Sequence, residues 1–201
     1  MDDSDAYYIR FRLADSEDAA PVEFRFLFEA VDTFTRALLI EQMRTFAETA
    51  DLSDRARHEL YVSVLHTARY VETPAQVISI RRESPWSVLI GLPVAGVIWA
   101  MRKMIAPEIL QAWDESQLKA NFRRFVRDSL FMGAKEQLEA NAAARPQFGN
   151  LVVDEIRETG RSGQEEPSIE FSFKRTEILK VEVKDRQLMN EFLSRIGIKP
   201  H

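Results

Sequence analysis

Hydrophobic and polar residues alternate with a period of two at both ends of the chain and with a helical period between them. Near the N-terminus "YYIRFRL" sets Ile9, Phe11 and Leu13 against Arg10 and Arg12, and "VEFRFLF" sets Val22, Phe24, Phe26 and Phe28 against Glu23 and Arg25. Such alternation predicts two half-buried strands, paired as a hairpin across the polar break "ADSEDAAP". From about Glu29 the spacing changes: Val31, Phe34, Leu38, Leu39, Met43 and Phe46 recur at threes and fours, the mark of an amphipathic helix. Ser53 is a good N-cap for a second helix through Leu60, Tyr61, Val64, Leu65 and Ala68, stopped by Pro74. Its β-branched and aromatic second half, "LYVSVLHTARYV", keeps a strand open as the alternative.

"QVISIRR" predicts a short strand. A long helix is expected over about 108–144, with Leu118, Phe122, Phe125, Val126 and Leu130 on its apolar side. The last quarter returns to period two in "LVVDEIRE", "IEFSFKR" and "ILKVEVK", then closes on a helix with Asp185 as N-cap and Gly197 just past its end. Strands and helices thus come in blocks, which predicts an α+β fold: an N-terminal β-hairpin and a C-terminal meander of antiparallel strands packed against several helices. One domain over 1–201 is expected, divisible into 1–82, 83–145 and 146–201.

One segment breaks the pattern. The seventeen residues from Pro85 to Met101 carry no charge, although 29% of the chain is charged. As a helix they rise roughly 25 Å, short of the about 30 Å hydrocarbon core of a bilayer. Pro93 lies in the middle, where it would remove a helical hydrogen bond. A kinked apolar helix at 85–105, broken near Gly91 and Pro93 and buried in the protein or an interface, is therefore expected. Flanking Arg81, Arg82, Arg102 and Lys103, with Trp86 and Trp99 near the ends, support membrane insertion through 85–101 as the alternative.

Composition narrows the chemistry. With no cysteine, thiolate zinc sites, iron–sulfur clusters and cysteine nucleophiles are excluded. A net charge of −5 disfavours a general nucleic-acid binder. The acidic N-terminus lacks the layout of a secretory signal, so a cytoplasmic location is expected, with the cytoplasmic side of a membrane as the alternative. His58 and His66 lie eight residues apart, about 12 Å along a helix and too far to share a metal by themselves. No cofactor loop is present: the seven glycines form neither a Walker loop nor a dinucleotide fingerprint.

Three groups of residues remain as site candidates. Glu182 and Lys184 form an E-x-K pair on one strand face, and Asp154 or Glu170 on neighbouring strands would complete a magnesium site. The order helix, three strands, helix resembles restriction-endonuclease-like nucleases, without their Pro-Asp element or fourth core strand. Arg102, Lys103, Arg123, Arg124 and Arg127 would suit an anionic partner or lipid headgroup, or simply a solvated helix face in which Arg124 supports Asp128. Trp86, Trp99, Met101 and Trp113 are the interface candidates within the apolar helical surface of residues 85–132. The expected function is a non-enzymatic interaction module, an assembly, adaptor or regulatory subunit that binds another protein or a second copy of itself.

Overall fold

The computed structural model describes residues 6–13, 21–81, 86–107, 109, 115–144, 147–159 and 168–176. In order, β1 (Ala6–Leu13) is followed by α1 (Pro21–Thr49), α2 (Asp54–Thr67), β2 (Gln76–Arg81), β3 (Trp86–Pro93) and α3 (Val94–Lys103). Then come α4 (Glu115–Asp128), α5 (Ala134–Ala144), β4 (Gln147–Phe148), β5 (Leu151–Thr159) and β6 (Ser168–Arg175). The α+β class and the mainly antiparallel pairing expected from the sequence are both present. The six strands form one mixed sheet in the order β2-β3-β1-β6-β5-β4.

The sheet centre is β1, antiparallel to β3 and parallel to β6, with Ile9 opposite both Ile90 and Ile169. Odd-numbered residues of β1 and β6 face the helices, and Ile9, Phe11, Leu13, Phe171 and Phe173 are fully buried there. The helix α1 lies on this face because Leu27, Val31, Phe34, Leu38 and Phe46 stand on one side of it. Phe34 stacks on Phe171 with ring centroids 4.6 Å apart, and Phe11 stacks on Phe171 at 5.3 Å. These rings are the packed centre of the molecule.

Three local expectations need correction. Residues 22–28 are the first turns of α1, so there is no N-terminal hairpin. Read helically, Glu23, Leu27 and Ala30 share the buried side, and Phe28 points outward. The alternating Phe residues fit either period, and continuity with the stripe at 31–46 decides between them. Phe24 is held edge-on to Trp86 at 4.2 Å, and buried Glu23 takes a two-pronged ion pair from Arg175 on β6.

Residues 86–93 are a strand and not the first half of a kinked helix. It is buried on both faces and paired on both edges, which needs an unbroken apolar run. Only the break at Pro93 stands as expected: Pro93 closes β3 and precedes α3. The helix expected at 108–144 is interrupted: among the described residues α4 and α5 are separated by a turn in which Phe131 and Gly133 have positive φ. Gln42, fully buried on α1, locks this turn: its Oε1 accepts from the Phe131 N–H at 2.8 Å and its amide donates to Gln137 at 2.9 Å. The expected C-terminal antiparallel meander is present as β4-β5-β6, and β1 pairs in parallel with the other edge of β6. The segments 178–184 and 185–197 lie outside the described residues.

Ser53 caps α2 as expected, accepting from the Ala56 N–H at 3.2 Å. From α2, Ser63 and Thr67 donate to the Met104 carbonyl at 3.0 and 2.6 Å, and Ser63 accepts from the Ala106 N–H at 2.7 Å. The exit of α3 is thereby fastened to α2.

Candidate functional site

The sequence candidates separate sharply once placed. Trp86 is 2% exposed on β3 and Met101 is fully buried on α3, so neither can meet a partner. Trp113 lies outside the described residues. Trp99 is 49% exposed, with the Lys103 ammonium 5.8 Å from its ring centroid. The basic group is divided: Arg102 and Lys103 end α3, whereas Arg123, Arg124 and Arg127 lie on α4, whose Phe122 and Phe125 pack on Phe46 of α1. Asp128 is held by its neighbour Arg127, at 2.7 and 3.1 Å, rather than by Arg124. That bond keeps the Asp128 carboxyl below its ordinary pKa.

The acidic candidates are engaged. Glu170 is 6% exposed and flanked in register by Arg10 on β1 and Arg157 on β5. Arg157 donates to Oε1 at 2.7 and 3.0 Å, with Arg10 and Arg12 at 3.9 and 3.7 Å. Asp154 pairs with Lys174 at 2.6 Å. Glu182 and Lys184 lie outside the described residues. Among the described residues no group of three potential ligands could hold a metal ion. His58 and His66 border a shallow apolar groove on α2 with Val62 and Ile109.

Sequence reasoning missed the edge of the sheet. All six residues of β2 are exposed, including Val77, Ile78 and Ile80. Among the described strands only β3 pairs with β2, so no described strand lies along its outer row of backbone N–H and C=O groups. A register shift between Val77 and Ser79 pushes Ile78 out of the ladder. Ile78 then rests on the backbone of Gly91, where an added Cβ would stand 3.2 Å from its methyl and 3.5 Å from the Tyr8 ring. Gly91 was the available signal, because a glycine inside a strand marks a bulge or a close approach.

The same edge lies beside α3. Pro74, just before β2, packs on Gly96, where a Cβ would stand 2.9 Å away. Trp99 follows Gly96 by three residues, on the same side of the helix. The chain matches no protein-family model, no curated protein and no solved structure. No helix among the described residues is long and apolar enough to cross a membrane, and half of the segment 85–101 is consumed as a central strand.

Proposed function

We propose that the protein is a non-enzymatic interaction module that takes up an extended segment of another protein along the edge of β2, with Trp99 as the side-chain anchor. The observation that carries the reading is a wholly exposed edge strand carrying Val77, Ile78 and Ile80 beside a half-exposed tryptophan. Natural edges are shielded by short length, charge, proline or bulges. Here the bulge at Ile78 and the terminal Arg81 are the shielding residues of β2, and Val77 and Ile80 remain open. An incoming strand would satisfy the outer backbone groups, the way edge addition gains affinity, while alternate pockets read its side chains. Arg81 and Lys103 favour a partner with acidic residues flanking an apolar core.

The reading moves the expected interface away from the buried Trp86 and Met101 and onto residues 76–81 and Trp99. A photo-crosslinking residue at Ile80 tests it in the cells that make the protein, with a control at Glu139 on α5. A discrete adduct from position 80, absent from position 139 and lost in Trp99→Ala, is expected. Equal labelling from both positions, or an adduct indifferent to Trp99, would overturn it. An adduct of twice the chain mass would identify a second copy as the partner.

A further inference from the structure

A second site lies on the opposite helices, independent of the β2 edge. Where α1 ends and α4 passes it, Thr49, Ala50, Asn121, Arg124, Phe125, Asp128 and Ser129 enclose a half-open cavity of about 80 Å³. That leaves room for several water-sized groups, since one needs roughly 15 Å³.

Its polar lining is unbalanced in one direction. Asn121 is 3% exposed, and its side-chain nitrogen is buried without a hydrogen-bond partner. A buried donor without a partner is unfavourable, so the fold holds this amide in place against a penalty. Arg124 is exposed and reaches Asp128 only through its charge, while the Asp128 carboxylate is hydrogen-bonded by Arg127. The Thr49 hydroxyl donates back to the Thr45 carbonyl at 2.9 Å. One buried donor without a partner and one exposed guanidinium therefore border the same cavity as the apolar Ala50 and Phe125.

We infer that this cavity binds a carboxylate on a short apolar stem, its oxygens taken by Asn121 and Arg124 and its carbon atoms laid on Ala50 and Phe125. A monoanion fits better than a dianion, because Asp128 stands at the rim and one arginine supplies the charge. A planar carboxylate also matches the fork of a guanidinium, which a spherical halide does not. The group could come from a free aliphatic acid or from the end of a peptide chain.

The test titrates the full-length protein with butyrate, following the Asn121 side-chain amide and the Arg124 Nε–H by two-dimensional NMR at fixed ionic strength. Saturable shifts at both groups are expected, weakened at least tenfold in Arg124→Gln. That exposed position leaves the fold intact, and Asn121→Ser serves as the second variant. Linear shifts, equal shifts with sodium chloride, or an unchanged response in Arg124→Gln would overturn the assignment. A short peptide with a free C-terminus, run against its amidated form, separates the sources. A tighter response to the free-acid peptide than to butyrate assigns a chain terminus, the reverse assigns a small acid, and either upholds the site.

Discussion

The strands β2 and β6 look alike as sequence, and they differ in almost every physical respect. Both alternate, "QVISIR" and "SIEFSFKR", and both are short. In β6 the first six residues are buried, phenylalanines against α1 on one face and Glu170 among arginines on the other. In β2 no residue is buried. The difference is one of neighbours. Two partners close both edges of β6, whereas among the described strands β2 has one partner, and its ladder is bulged. Alternation reports that a segment can be a strand, and the sheet order decides whether its polar positions become structural or its apolar positions become available.

The contrast is broken most severely at the centre. Phe171→Ala should lower the unfolding free energy by about 3–5 kcal/mol, whereas Ile80→Ala should cost roughly 1 kcal/mol or less. Denaturant midpoints measured on both variants check this, and equal losses would mean that β2 is as much a part of the core as β6.

A smaller effect tests the polar face. Glu170→Ala leaves Arg10, Arg12 and Arg157 clustered without their carboxylate, in a place where the Arg12 Nε already lacks a hydrogen-bond partner. The expected loss is about 2–3 kcal/mol, below the 3–5 of a fully buried pair because Arg157 is partly exposed. The double variant Glu170→Ala with Arg157→Ala should recover part of it, as a thermal-denaturation cycle would show. Additive losses would reduce the arginine cluster to surface decoration.

The smallest effect concerns pH. Tyr7 on β1 stacks on Phe131 at 4.6 Å, and burial, helped by Glu158 and Glu136, raises its phenol well above the ordinary value of 10.0. The folded state therefore keeps the proton after the unfolded state has lost it. Stability should fall as pH rises through 10, by at most about 1.4 kcal/mol per unit from this group. Chemical denaturation between pH 9 and 11 should show a steeper fall in the wild type than in Tyr7→Phe. Parallel curves would place the phenol in solvent.

What was legible in the sequence follows from the same contrast. The stripe on α1, the cap at Ser53, and the alternation in β1, β5 and β6 depend on local periodicity, and each was readable. The start of α1 was misread because four alternating residues satisfy both periods over so short a window. Strand β3 was misread for a deeper reason: a segment buried on every side has no polar face to display a period. The turn between α4 and α5 rests on a buried glutamine from α1, 89 residues away from the Phe131 N–H it accepts, which no local window contains. Site legibility was poorer still. Tryptophan identity pointed to Trp86 and Trp99 alike, and only the sheet order tells the buried ring from the available one. The cavity at Asn121 and Arg124 was half visible, since the arginine stood out by charge while the amide beside it carried no signal.

The parallel pairing of β1 with β6 reaches into the life of the protein before it is finished. Ile9 and Ile169 sit side by side although 160 residues separate them. A ribosome adding roughly 5–20 residues per second needs on the order of ten seconds to span that gap. Throughout that interval β1 has β3 on one edge at best, and Phe11 waits for the ring of Phe171. Pairings so distant along the chain also fold slowly once synthesis ends, because loop closure must precede the contact that rewards it. The nascent chain therefore presents an open central strand to its surroundings, and its yield in a cell should depend on what shields that strand until the C-terminal quarter emerges.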